Sequence, residues 1–336
     1  MTAVREHAPV AVLGAALLVG LFTPLALGLS APGFWVEVVL GGLVAGVLYA
    51  LVALGFVLIF KASGVFNFAQ GAMVLFAALA VARLAERVPL WAAILLAIAI
   101  MVVLAIAIER VVLRPLVNQD SVALLMATLG VTYFLDGFGQ TIWGSDIYSI
   151  DLGLAREPVM ILGSVLQGGV LINRDDVAAA VVAVLLVGML ALFFQKTATG
   201  RALRAVADDH QAAQSVGIPL NRIWVIVWSV AGVVAIVAGV IWGGKLGVQF
   251  SISLVALKAL PVVILGGFTS VPGAIVGGLI IGVGEKMAEV FLGPVLVKAF
   301  DLAGGGIENW FAYVLALLFL LARPEGLFGE RHIDRV

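Results

Sequence analysis

The chain has no cysteine and only three histidines, His7, His210 and His332, all in polar or terminal segments. Without cysteine there are no disulfides, Cys-based zinc sites or thiol chemistry, and three scattered histidines argue against a clustered metal site. Charge is scarce too: Asp, Glu, Lys and Arg make up 12% of 336 residues, and a net charge of −1 carries no nucleic-acid signal. Most of the rest is apolar. Hydrophobic residues reach 63% and mean hydropathy is +1.20, values outside those of soluble domains. Runs such as Leu90 to Ile108 and Val177 to Phe194 stay apolar for roughly the 20 residues that carry a helix across a hydrocarbon core. The 39 glycines fit closely packed helices, because small residues let backbones approach where lipid supplies no hydrophobic drive.

Hydropathy and the polar or Gly/Pro breaks predict an all-α polytopic integral membrane protein, one transmembrane domain over 1–336. Its helices fall near 8–28, 36–60, 71–85, 90–109, 122–143, 177–195, 223–244, 252–268, 274–291 and 308–322. That makes ten spans, or eight if the short 71–85 and 252–268 pieces are re-entrant; an even count keeps both termini on one side. With both termini cytoplasmic, eleven Lys/Arg fall inside, among them Arg5, Lys61, Arg110, Arg114, Lys196, Arg201, Arg204, Arg222 and Arg323, against seven outside. The positive-inside rule favours that orientation. Trp35, Trp91, Trp143, Trp242 and Trp310 all fall near the expected outer interface, where amphipathic rings prefer to sit. The first apolar stretch has an alternative reading as a cleaved signal peptide, with Leu29 to Pro32 near a cleavage site; its length favours a retained helix.

Two polar connectors stand out. The outer one, about 144–176, contains four aspartates and two arginines and offers a landing surface for a soluble partner or serves as a plain solvated connector. The inner one, Lys196 to Ile223, is too long for a turn and too polar for lipid. Asp208, Asp209 and His210 within it lack a pocket and read as helix-surface charge rather than acid–base machinery. A Gly-x4-Gly-Lys match at Gly239 to Lys245 is followed by Leu246, where a phosphate loop needs Ser or Thr for Mg²⁺, and no strand precedes it. The chain is therefore no ATPase and no enzyme.

Inside the spans, Gly64-Val65-Phe66-Asn67-Phe68-Ala69-Gln70-Gly71 interrupts an apolar run with polar side chains and glycines. Such a break exposes backbone groups that lipid cannot satisfy, so it must be buried in protein or line a wet cavity. Asn67 and Gln70 either cap freed backbone groups or touch a passing solute. Asp136 and Lys258 lie within expected spans, where an ionised side chain costs about 2.5–3.5 kcal/mol on insertion scales. Lys258 reads as snorkelling or capping, Asp136 as interfacial or on a pathway. Gly64-x-Phe66-x4-Gly71-Ala72-x-Val74 is echoed 202 residues later by Gly266-x-Phe268-x4-Gly273-Ala274-x-Val276, either a duplicated broken hairpin or coincidence in a Gly/Ala/Val-rich chain. Gly42/Gly46, Gly273/Gly277 and Gly278/Gly282 have the spacing of close helix crossings.

These stretches carry a resemblance. Gly46, Tyr49, Ala50, Leu51, Ala53 and Gly55, followed by Asn67, Phe68, Ala69, Gln70 and Gly71, resemble the permeases of the branched-chain amino-acid (Liv-type) ABC uptake family. Gly200 to Ala205 with Gln211, Ala212, Ala213 and Gly217 resembles its cytoplasmic "EAA…G" loop, with Gln211 in place of the usual acid. Leu257-Lys258-Ala259, Val263 to Gly267, Val271 to Ala274 and Arg323 to Gly329 are similar to its later segments. The resemblance implies an importer permease of the prokaryotic inner membrane. Its implied partners are a paralogous permease subunit, two ABC ATPase subunits and an extracytoplasmic substrate-binding protein. There is no cofactor in this chain, ATP being hydrolysed by the partner subunits. It implies a solute pathway through Tyr49, Asn67, Gln70 and Gly71, to which Asp136, a departure from the family pattern, is added as an acid within a span, and ATPase coupling through Arg201, Arg204, Gln211, Ala212, Ala213 and Gly217. Branched-chain amino acids lead as the solute, with urea or short amides as the alternative. A stand-alone secondary transporter or channel is the reading from another class.

Overall fold

The computed structural model describes residues 2–28, 30–116, 119–153, 157–161, 163, 169–208, 210–301 and 304–329, with 2–11, Ser121, His210 and Gln211 described by their backbone alone. The order is α1 Thr2–Ala26, α2 Pro32–Ser63, α3 Gln70–Ala85, α4 Leu90–Ala107, α5 Ser121–Trp143, β1 Pro158–Ile161, β2 Val170–Asn173 and α6 Arg174–Lys196. Then follow α7 Ala198–Asp208, α8 His210–Ser215, α9 Leu220–Leu246, α10 Val255–Gly266, α11 Val271–Met287, α12 Gly293–Phe300 and α13 Ile307–Ala322. A helix covers each of the ten segments that hydropathy selects. Among the described residues, five stretches are long and apolar enough to cross a membrane: α2, Leu90–Leu116, Val122–Trp143, α6 and α9. Phe250–Gly266 and Val271–Phe300, bent by 115°, add a sixth if counted as one. Val12–Ala26, α3 and α13 are apolar but shorter. The protein is thus an all-α polytopic membrane protein in which length alone yields five or six crossings rather than ten or eight.

Both polar connectors carry secondary structure of their own. The outer one folds β1 and β2 into an antiparallel hairpin with Pro158 opposite Asn173 and Ile161 opposite Val170. The inner one holds two short helices, α7 and α8.

The described chain forms two compact units. One holds Met1–Ala50, Leu154–Val182 and Lys258–Val336. Within it α2 and α11 cross antiparallel, backbone on backbone, because Gly42 and Gly46 face Gly278 and Gly282. A Cβ on Gly42 would stand 2.7 Å from the Val283 Cα, so a larger residue would force the helices apart. At one end of this crossing, the Trp35 indole donates to the Leu21 carbonyl (2.8 Å) and the Leu171 N–H to the Glu37 carboxylate (3.0 Å). Phe34 meets Phe291 edge-on there, at 6.1 Å. Beyond the other end of α11, the tail after α13 pairs with the end of α10. Leu327 N–H donates to the Leu265 carbonyl (2.8 Å) and Phe328 N–H to that of Gly266 (3.1 Å).

The other unit holds Leu51–Gly153 and Ala183–Leu257. Thirteen of the sixteen residues of α3 are buried, which makes it an inner helix surrounded by α4, α5 and α9 rather than a lipid-facing one. α4 buries only Ala93, Ala97, Met101 and Ala105, a stripe at every fourth residue, and leaves its larger side chains outward, as membrane helices do. The Trp224 indole donates to the Ala62 carbonyl (3.0 Å), joining the start of α9 to the end of α2. Backbone bonds between Tyr148 and Val248 join the segments that follow α5 and α9.

Candidate functional site

The break between α2 and α3 lies in the second unit. Gly64 takes the left-handed conformation (φ +70°) that lets the chain leave α2. Asn67 and Gln70 are both fully buried. The Asn67 Oδ1 accepts the Ala69 N–H (3.0 Å) and its Nδ2 points at the Met73 sulfur (3.8 Å), so this side chain satisfies freed backbone at the start of α3. Thr128 of α5 completes the turn: its hydroxyl donates to the Leu125 carbonyl (2.9 Å), lies 3.3 Å from the Phe66 carbonyl and accepts the Phe68 N–H (3.4 Å). Gln70 is different. Neither Oε1 nor Nε2 has a hydrogen-bond partner among the described residues. The amide is pressed on Gly55, where a Cβ would overlap it. Gly71 packs on the Ser253 carbonyl and Ala256, with no room for a side chain.

Tyr49 belongs to the first unit. Its hydroxyl donates to Glu285 Oε1 (3.0 Å), and the Lys258 ammonium donates to the same oxygen (2.9 Å). Lys258 therefore forms an ion pair rather than snorkelling, and Glu285 is a site residue that the hydropathy reading passed over. The signal was present, since an acid at 285 falls inside the expected 274–291 span and an intramembrane carboxylate calls for a partner. Glu109 was passed over in the same way: it is buried in a π-helical turn, Ile108–Leu113, and takes two bonds from the Arg114 guanidinium at 3.0 and 2.9 Å. Asp136 sits on α5 between the exposed Phe134 and Phe138, its Oδ1 buried and unpartnered among the described residues. It lies eight residues, about 12 Å of helix rise, beyond Thr128, apart from the polar side chains of the break.

The connector between α6 and α9 packs against its own unit. Leu203, Val206 and Ala213 are buried, and the Arg204 guanidinium donates to the Phe194 carbonyl (2.7 Å) at the end of α6. Arg201, Ala212, Gln214 and Val216 face outward, whereas Ala213 is turned into the fold and offers no outer surface. Gly217 (φ +86°) closes α8: its N–H donates to the Gln214 carbonyl and that of Ile218 to Ala213, both at 3.0 Å. The side chain of Gln211, like Asp209, lies outside the described residues.

The family model described as "Branched-chain amino acid transport system / permease component" matches residues 38–323. The high-affinity branched-chain amino acid transport system permease protein BraD of Pseudomonas aeruginosa is 30% identical over 314 residues, 90% of this chain and 98% of its own. LivH of Salmonella typhimurium, of the same description, is 27% identical over 315 residues, 90% of this chain and 98% of its own. The probable branched-chain amino acid transport permease protein LivH of Methanocaldococcus jannaschii is 30% identical over 310 residues, covering 86% and 91%.

Proposed function

The chain belongs to the branched-chain amino acid transport system permease family, and from that membership we propose that it is the membrane subunit of a binding-protein-dependent ABC importer. It moves branched-chain or related α-amino acids across the prokaryotic plasma membrane by alternating access. A second, paralogous permease subunit, two ATPase subunits and an extracytoplasmic binding protein complete the machine. The observation that carries this reading is the match over 38–323, which takes in the spans after the first, the break and the inner connector alike.

In this reading all ten helices enter the membrane and both termini are cytoplasmic. α10, at twelve residues about 18 Å long, is a short span whose inner end is held by the tail at 325–329. The α7–α8 segment meets the ATPases, through Arg201, Ala212 and the turn at Val216 and Gly217. Ala213 packs beneath that surface, Arg204 ties α7 to the end of α6, and Gln211 lies on the same short helix as Ala212. Of the residues read as pathway, Tyr49, Asn67, Gln70, Gly71 and Asp136, Gln70 is foremost because its buried amide has bonds to offer, whereas Asn67 holds the turn beside it.

The test is reconstitution of the full importer in proteoliposomes with radiolabelled L-leucine and binding protein outside. Leucine uptake that requires ATP and binding protein is the expected result; its absence overturns the substrate assignment. Val216, 76% exposed, can be changed without touching the fold. Val216→Glu should leave the complex assembled while uptake per ATP hydrolysed falls about tenfold. Normal coupling in that variant removes the connector from the ATPase interface. Sidedness is read with single cysteines, since the chain has no thiol of its own. Val216→Cys should react with an impermeant reagent only in opened cells, and Ser149→Cys in intact ones.

A further inference from the structure

We propose that Tyr49, Lys258 and Glu285 form a binding site for the charged head group of a zwitterionic α-amino acid. The proposal rests on the reading of this chain as an amino-acid permease. The three residues belong to one unit and are delivered by three helices, α2, α10 and α11. Tyr49 and Glu285 come from the antiparallel pair whose backbones touch at Gly46, Gly278 and Gly282. Each lies one turn C-terminal to a crossing glycine, and Cα–Cβ bonds lean toward the helix N-terminus, so the two side chains reach back over the bare crossing from opposite ends.

The bonding within the cluster is lopsided. Glu285 Oε1 accepts both the Tyr49 hydroxyl and the Lys258 ammonium, while Oε2, buried, has no partner among the described residues. Glu285 is 6% exposed, whereas the Lys258 side chain is 34% exposed and has one of its three ammonium donors on Glu285. The cluster is thus near neutral overall, with a carboxylate oxygen and ammonium donors of opposite sign still to be satisfied. A solute with a net charge would leave one charge uncompensated in a low-dielectric setting, and an uncharged amide would leave both under-used. A zwitterion answers both: its ammonium donates to Glu285 Oε2 and its carboxylate accepts from Lys258. No bond is made or broken, so the solute leaves as it entered. Since the head group is common to all α-amino acids, this site selects the class and leaves side-chain choice elsewhere.

The experiment uses the whole importer in proteoliposomes, with radiolabelled L-leucine uptake and binding-protein-stimulated ATP hydrolysis both expressed per assembled complex. Glu285→Gln keeps the shape and an acceptor for Tyr49 and Lys258 but loses the charge for the ammonium. K258M/E285Q removes both charges together and leaves no unpaired ion. Both variants are expected to assemble and to keep stimulated hydrolysis within twofold, while uptake falls about tenfold or more, the weight of one charge-assisted hydrogen bond. Wild-type uptake in both variants overturns the site and leaves the permease reading standing. Uptake and stimulated hydrolysis lost together, or failure of both variants to assemble, makes the cluster a coupling or folding element and overturns the site as well. A wild-type complex that does not move leucine removes the substrate reading itself, and the proposal with it.

Discussion

The breaks at 64–70 and at 266–270 are written in the same residues, Gly-x-Phe-x4-Gly-Ala-x-Val, yet each closes its exposed backbone differently. At the second, the main chain does the work. Leu265 and Gly266 accept N–H groups of Leu327 and Phe328, and the Ser270 hydroxyl caps α11 by accepting the Gly273 N–H (3.1 Å). At the first, side chains do it: Asn67 and Thr128 take up the turn, and the amide of Gln70 is left over. A tail can close a break only where the chain brings one, and the segment after α13 runs beside Gly267. The pattern marks where a helix stops; the neighbours decide whether polar capacity remains.

That contrast can be broken by four substitutions in falling order of effect. Gly71→Leu should abolish assembled protein, costing about 3 kcal/mol, because the new side chain meets the Ser253 carbonyl and Ala256 rather than a flexible side chain. Membrane abundance of the tagged chain is the readout, and normal abundance would mean the break is loosely packed. Asn67→Ala should lower thermal stability by about 1–3 kcal/mol, by orphaning the Ala69 N–H, while each folded molecule transports normally. Gln70→Met sharpens the comparison, since exchanging an unpartnered amide for an apolar group of similar shape is neutral or stabilising. It should keep or raise the melting temperature while leucine uptake falls about tenfold, roughly 1.4 kcal/mol of lost interaction. A destabilised Gln70→Met variant would show the amide to be structural, as in Asn67. Ser270→Ala, which removes one cap from the closed break, should cost about 1 kcal/mol of stability and leave transport per molecule unchanged.

Much of this was legible in the residues. Helices lie where apolar length demands them, and the interruption at Asn67 and Gln70 marked the first break because polar groups within a span must be buried or wetted. Lys258 drew notice as a costly charge, but its partner could not be read, because Glu285 is 27 residues away and only the turn at Gly266 and the α2 crossing bring Tyr49 to the same carboxylate. Ala212, Ala213 and Gly217 were grouped as one docking surface. Helical geometry divides them, turning Ala213 inward between outward neighbours, which a motif read as a string does not convey.

By itself, then, the sequence determined the solvent of this protein, its helices, the places where they stop and the family to which it belongs. Those properties depend on composition and on spacing within a few turns, the range over which hydrophobicity and backbone capping act. Which buried polar groups are satisfied was decided by the tertiary structure. A hydrogen bond is made or missed over a few tenths of an ångström, here between residues more than two hundred positions apart, Tyr49 and Glu285.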